Sequence, residues 1–508
     1  MTETLSAPIL RPGDTCWKTA RAERMAVIID GAEYFKALKK AILGARHSVL
    51  MIGWDFNTSI ELERDGCDPS VPNVLGDFLS YAVKRNPRLH VHLLRWDLAF
   101  LKMPWRGTTP FLLLDWLTSR RIHFRLDGNH PSGGCHHQKI VVIDDALAFC
   151  GGIDATMHRW DTPEHRDGDT RRHEANGVLY GPWHDATTAV DGEAARVLGE
   201  LARARWQAAT GKLLEPPPPV APEWPDNLDP AFRDVDVAIA RTWPRHEGPR
   251  GEEVAEIREI ERLYLAAIAA ARRSIYLESQ YFAAPKISAA IEARLSEPLG
   301  PEIIIVNPRR ADGWLEEEAM GPARALLLRR LQRADRFGHL RFVTPVTEQG
   351  ADIYVHAKVL VIDDRLLRVG SSNINNRSLG LDTECDLAIE VSEHDAERDD
   401  IRAAILAVRD ALLAEHLGVP VAELRRSLAE TSSLTVTFDR LAKPSGRTLK
   451  PFEPPAVNDV EHVLARTGAL DPDAPEKMTA NFIRAIRLLA LPWPKQVASW
   501  LTPARKTL

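Results

Sequence analysis

Two distant stretches of this chain repeat one another in register, and the repeat limits what the chain can fold into. His137-Gln-Lys-Ile-Val-Val-Ile-Asp144 is matched by His356-Ala-Lys-Val-Leu-Val-Ile-Asp363, and a pair of small residues follows each, Gly151-Gly152 or Gly370-Ser371. Upstream, Ala45-Arg-His-Ser-Val-Leu-Met-Ile-Gly-Trp-Asp-Phe56 reads against Ala271-Arg-Arg-Ser-Ile-Tyr-Leu-Glu-Ser-Gln-Tyr-Phe282. Self-similarity of this kind means two copies of one structural unit. In each copy an Ala-rich helical pattern runs into a short apolar strand, the pattern of a layered α/β domain. The tetrads Ile140 to Ile143 and Val359 to Ile362 are short β-branched runs that read as buried central strands.

A chain of 508 residues exceeds the size at which a single core usually keeps growing, which agrees with two core-forming units. Prolines at 216–219, 222 and 225 remove backbone donors and favour extended chain, so residues 213–231 are expected to be a semi-rigid linker. The expected division is an N-terminal extension (1–29), a first repeat (30–212), the linker, a second repeat (232–430) and a C-terminal extension (431–508). Beyond Glu476 every ionisable side chain in that extension is basic. There Phe482, Ile483, Ile486, Leu489 and Ala490 fall near helical spacing with Arg484 and Arg487 off the stripe, the pattern of an amphipathic helix. Such a helix docks on its own protein or lies on a membrane surface.

The formal net charge of −6 gives no overall basic footprint, so no nucleic-acid partner is expected. Five scattered cysteines lack the spacing of a zinc site or a disulfide framework and read as reduced thiols. No stretch approaches the length of a membrane span, and the first residues lack the basic-then-apolar order of a secretion signal. A cytoplasmic protein, in peripheral contact with membrane at most, is the expectation. The sequence specifies no oligomeric state, and a monomer is consistent with it.

His and Lys one residue apart on a strand face the same side, so His137 with Lys139 and His356 with Lys358, read as strand residues, are natural phosphate-facing pairs. A phosphodiester needs cations on its nonbridging oxygens, a nucleophile, and a proton donor for the leaving alkoxide. Two such pairs supply all three, with the lysines as fixed cations, so neither a cofactor nor a catalytic metal is called for. The neighbouring His136 points to the opposite face and is read as structural. Trp160, Trp183 and His184 are read mainly as packing.

The doubled string resembles the His-x-Lys-x4-Asp motif of the phospholipase D superfamily, over roughly residues 30 to 420. Gly151-Gly-Ile-Asp154, Arg159-Trp-Asp161, Pro182-Trp-His-Asp185, Ile275-Tyr-Leu-Glu-Ser-Gln-Tyr-Phe282 and Gly370-Ser-Ser-Asn-Ile-Asn-Asn-Arg-Ser378 resemble its eukaryotic-type pattern. The resemblance implies two α/β/α sandwich repeats about a pseudo-two-fold axis, with His137 and His356 meeting in one shared active site. It implies His137 as nucleophile and His356 as acid and base, an assignment that symmetry makes reversible. Asn373 would donate to phosphate. Asp154, at the equivalent place, would bind phosphate or orient a neighbour. Glu384 and Asp169 would orient the histidines, while Asp144 and Asp363 would hold the scaffold.

The implied reaction is hydrolysis of a glycerophospholipid, phosphatidylcholine by default, to phosphatidic acid and head-group alcohol at a membrane surface. Phosphatidyl transfer to added alcohols would share its phosphohistidine intermediate. Cardiolipin-synthase-like phosphatidyl transfer, a nuclease, and an inactive lipid-binding scaffold are the other readings.

Overall fold

The aspartates that end the two motifs turn helix into strand. Asp144 and Asp363 adopt positive φ (53° and 52°). The Asp144 carboxylate accepts from the backbone N–H groups of Arg46, His47 and Ser48, and Asp363 from those of Arg272, Arg273 and Ser274. Each carboxylate satisfies the donors left where a helix ends and a strand begins, which places both aspartates in the scaffold.

The structure is a computed structural model that describes residues 7–97, 119–248, 251–311, 314–392 and 398–489. The first half supplies β1 (Lys18–Ile29), β2 (Ser48–Gly53), β3 (His90–Trp96), β4 (Ile122–Asp127), β5 (Ile140–Ile143), β6 (Leu147–Gly151) and β7 (Ala186–Asp191). The second supplies β8 (Phe232–Trp243), β9 (Ser274–Glu278), β10 (Glu302–Val306), β11 (Leu340–Val346), β12 (Val359–Ile362), β13 (Leu366–Gly370), β14 (Glu384–Glu390) and β15 (Thr448–Pro451). All lie in one sheet, ordered β4-β3-β2-β5-β6-β7-β1-β8-β14-β13-β12-β9-β10-β11-β15. Apart from β15 the order is a palindrome. In each half the outer pairs β2–β3–β4 and β9–β10–β11 run parallel. At the centre β1 pairs antiparallel with β8, from Lys18↔Ile239 to Met25↔Phe232, as a two-fold between the halves requires.

Alternation along the strands assigns the layers. Val49, Met51, Val141 and Ile143 pack with helix Gly31–Gly44, and Ile275, Leu277, Ile303 and Ile305 with helices Glu259–Ala270 and Pro285–Leu295. Leu50, Ile52, Val142, Val359 and Val361 face the other way, into a core with helices Gly192–Thr210 and Arg398–Leu417. That core is shared by both halves, so the two sandwiches form one body.

Three sequence expectations need correcting. β1 is not part of an N-terminal extension, because it is the central strand of the first repeat and the counterpart of β8. The second repeat does not end at 430, because β15 pairs with β11 and extends its sheet. The His-Lys pairs lie not on strands but just before β5 and β12.

The linker carries no regular secondary structure over residues 213–230. In the tail, helix Pro475–Leu488 buries Ala485 and Ile486 and exposes Phe482, so part of the expected stripe docks on the protein itself. Ala490 lies outside the described residues. Among the described residues no helix is long and apolar enough to cross a membrane.

Candidate active site

Each motif enters its strand along backbone borrowed from the other half. His136 bridges in parallel to Thr383, and Tyr354–Val355 pairs in parallel with Trp183–His184. The His137 N–H donates to the Thr383 carbonyl at 2.9 Å, and the His356 N–H to the His184 carbonyl at 2.8 Å. The next residues along the borrowed segments, Glu384 and Asp185, therefore stand beside the histidines. His137 Nδ1 lies 3.0 and 3.1 Å from the Glu384 carboxylate oxygens. His356 Nδ1 lies 2.7 Å from Asp185 Oδ2. A carboxylate at Nδ1 fixes the proton there and leaves the lone pair of the neutral ring on Nε2.

The lysines are buried against the same strings. Lys139 Nζ donates to the His137 carbonyl at 3.0 Å, and Lys358 Nζ to that of His356. Their further partners break the symmetry. Lys139 Nζ pairs with Asp154 Oδ2 at 3.0 Å, whereas Lys358 Nζ donates to Gln280 Oε1 at 3.2 Å. Asp154 also accepts from the Trp54 N–H at 3.1 Å, so its charge is spent inside the protein. Asn373 stands at the equivalent point of the second half and is likewise buried.

Burial dominates the electrostatics. It holds His137 well below the ordinary imidazole value, with the Lys139 and Lys358 cations adding to the effect. It does the same to His356, with Lys358 and Arg159 adding. Burial also pushes Lys358 down to about 7, the Glu384 carboxyl up to about 8, and Asp185 upward. At both histidines the uncharged form of the ring is therefore favoured. An arriving phosphate anion favours the protonated form of a nearby imidazole, which is the form needed to donate to a leaving group.

The small pairs leave room for the carboxylates. A Cβ on Gly152 would stand 2.2 Å from Asp185 Oδ1, and one on Gly370 1.9 Å from Asp386 Oδ1. Gly151 closes similarly on Thr187. Ser371, the counterpart of Gly152, donates its hydroxyl to Glu384. Trp183 stacks on Tyr354 with centroids 4.5 Å apart and lies 5.3 Å from the His356 ring, so it walls the site. Arg159 lies over its other surroundings, 4.2 Å from the Trp183 ring. His136 turns away, to Thr383 Oγ1 and Asp127. Trp160 packs under Arg64 and Arg171.

Asp169 does not orient a histidine. Its carboxylate is taken by Arg171, through Nε at 3.0 and 3.1 Å and Nη2 at 2.6 Å, and that hydrogen bonding lowers it to about 2. Asp185 fills the role instead. The signal that could have found it is its place immediately before β7, matching Glu384 at the start of β14. A longer insert between small pair and carboxylate in the first half hides that correspondence.

The family model described as "Cardiolipin synthase, PLD-like domain" matches residues 264–400, and "Phospholipase D" matches residues 340–466. Phospholipase D alpha 1 of Nicotiana tabacum is 26% identical and that of Ricinus communis 25%, each over 75% of this chain and 63% of the relative. The chain thus spans less than two thirds of the length of these curated relatives. Among solved structures, phosphatidylserine synthase of Haemophilus influenzae shares the fold, with a TM-score of 0.51 at 15% identity over 82% of this chain and 95% of that one. A stretch covering three quarters of 508 residues cannot avoid either His-x-Lys string, and the two family models and these relatives together support the phospholipase D superfamily as the one this chain resembles.

Proposed function

We propose that the protein is a phospholipase D-type phosphodiesterase acting on a glycerophospholipid, with phosphatidylcholine as the first substrate to test. The observation that carries this reading is the crossed arrangement in which each His-Lys pair is completed by a carboxylate from the other half. Two lysines hold the nonbridging oxygens and offset the charge that builds in the transition state. His137 Nε2 attacks phosphorus and forms an N–P bond. The P–O bond to the head group breaks, its electron pair leaves on oxygen, and His356 donates the proton. Water then loses a proton to His356 and attacks phosphorus, and the N–P bond breaks to return its pair to His137. The products are phosphatidic acid and the head-group alcohol.

A primary alcohol in place of water gives a phosphatidyl alcohol by the same route. The near-symmetric site supports the reversed roles equally well. Support for a lipid over other diesters comes from the phospholipase D alpha relatives. Contact with the bilayer would be peripheral and on the cytoplasmic side.

The test is incubation with phosphatidylcholine vesicles in the presence of ethanol, using wild type, His137→Ala and His356→Ala, with a bis-nitrophenyl phosphodiester in parallel. Phosphatidic acid and phosphatidylethanol from wild type alone support the reading. Diester cleavage without lipid turnover replaces it with a nuclease-like phosphodiesterase, and inactivity on both replaces it with a binding scaffold.

A further inference from the structure

One residue before Asp185, His184 turns away from the substrate side into a second, closed group of side chains. Asp30, His165 and His184 are fully buried there, and Glu415 nearly so. His184 Nδ1 lies 2.9 Å from Glu415 Oε1 and 3.3 Å from Asp30 Oδ1. His165 Nε2 lies 3.1 Å from the same Glu415 oxygen and 3.7 Å from Asp30 Oδ2. Four ligands about 2.0–2.1 Å from a tetrahedral ion stand about 3.3 Å from one another. The Glu415 oxygen stands near that distance from both imidazoles, Asp30 turns one oxygen to each of them, and one ligand atom from each of the four residues lies within 4.8 Å of the others.

The outer contacts fit as well. The far nitrogen of each imidazole meets its own carboxylate, His165 Nδ1 with Asp161 at 2.9 Å and His184 Nε2 with Glu278 at 2.9 Å. Such partners orient metal-bound histidines. Asp30 Oδ2 supplies an independent pointer: it is buried, aimed at this group, and has no hydrogen-bond partner. Asp30 also holds a positive φ of 66°, unusual for a residue other than glycine, which marks a position constrained by its surroundings. Without an ion, carboxylates at both nitrogens of both rings call for two imidazolium cations, and one divalent ion replaces those two protons at equal charge.

We propose that Asp30, His165, His184 and Glu415 form a closed structural site for one divalent transition-metal ion of the zinc class. Two imidazoles and two carboxylates suit that class, and a closed four-ligand shell suits a structural role. The site ties helix Arg398–Leu417 of the second half to three residues of the first. It also braces Asp185, since the Asp30 N–H donates to the Asp185 carbonyl at 2.8 Å and Asp30 Oδ1 accepts from the Asp185 N–H at 3.2 Å. The ion takes no part in phosphoryl transfer; it positions the carboxylate that orients His356.

The experiment measures metal by inductively coupled plasma mass spectrometry. The samples are the full chain, grown with added zinc and also refolded from guanidinium with and without zinc, alongside His165→Gln and Glu415→Gln. About one zinc per chain in wild type, lost in both variants, is expected, with a lower Tm for protein refolded without zinc. Folded wild type carrying less than about a tenth of an equivalent of any divalent transition metal overturns the proposal, as does full retention in both variants. If neither variant folds, X-ray absorption on the wild type decides: a shell of imidazole nitrogen and carboxylate oxygen supports the site, and sulfur ligands or an empty sample sink it. None of these readouts depends on lipid turnover.

Discussion

Asp185, in the first half of the chain, holds Nδ1 of His356, in the second, at 2.7 Å. Glu384 returns the contact across the same boundary to His137. Replacing either by its amide keeps the shape but removes the carboxyl group whose ionised form stabilises the imidazolium as the ring takes up a proton. Asp185→Asn and Glu384→Gln are each expected to lower kcat about 10²- to 10⁴-fold with little change in KM. The double variant should fall far short of the product of the two, because the pairs act in one reaction. Steady-state kinetics on vesicles checks both statements, and a strictly multiplicative double variant would refute the coupling.

Gly152 gives a steric route to the same carboxylate. A Cβ there would sit 2.2 Å from Asp185 Oδ1, which is anchored by the Ala186 N–H at 2.8 Å and cannot simply rotate away. Gly152→Ala should therefore displace Asp185 and cost as much in kcat as Asp185→Asn. Ser371→Ala, at the equivalent position, creates no clash and removes the hydroxyl that donates to Glu384 and accepts from the Cys385 N–H at 3.0 Å. Its expected cost is about 1.5–3 kcal/mol of transition-state stabilisation, the worth of a hydrogen bond to a charged group. Equal effects of the two variants would argue against this difference in mechanism.

Asp154 and Asn373 occupy matching positions with different charge. Because Asp154 pairs with Lys139 at 3.0 Å, it competes with a substrate phosphate for that cation. Asp154→Asn restores the symmetry of the two halves and is expected to lower KM for an anionic diester by about two- to tenfold, equivalent to roughly 0.4–1.4 kcal/mol. A rise in KM would instead mean that the carboxylate orients Lys139 and is needed.

The sequence carried the doubled core of the site because a period-two string and its repeat are local signals. His137, Lys139, His356 and Lys358 follow from spacing, while the scaffold role of Asp144 and Asp363 came from the family resemblance. What escaped it depends on distance in the chain. β1 pairs with β8 across more than two hundred residues, and nothing in Lys18–Ile29 alone announces a central strand. Asp185 was obscured by an insert of unequal length and by the shorter side chain that replaces Glu384. The group around His184 assembles from four separate segments, none of which has a metal-ligand spacing of its own.

Asp144 tests the scaffold role apart from chemistry. Three backbone N–H groups at the helix-to-strand turn donate to its carboxylate, at 2.6, 2.7 and 2.7 Å. Asp144→Ala strands those donors and is expected to destabilise the fold by about 2–5 kcal/mol, measured by denaturant unfolding. Activity per folded molecule should stay near that of wild type. A large loss of kcat at unchanged stability would move Asp144 from the scaffold into the site.

Lys358 links stability and catalysis through pH. In the unfolded chain a lysine keeps its proton to about 10.4, whereas burial brings the folded value to about 7. Between these values the unfolded chain binds more protons, so this group's contribution to stability rises with pH across that window and is unfavourable at neutral pH. Activity moves the other way, since the cation that binds phosphate is lost as pH rises through 7. The expected kcat/KM profile falls about tenfold per pH unit above that point. The fall in kcat should begin at higher pH, because bound phosphate favours the ammonium form. Gln280→Glu, which places a carboxylate at the 3.2 Å contact, should shift the kcat/KM limb upward by about one unit. Lys358→Met should abolish turnover while leaving the protein as stable as wild type or more so at pH 6, because it removes a buried cation. A kcat/KM profile flat from pH 6 to 9 would mean that Lys358 stays charged throughout.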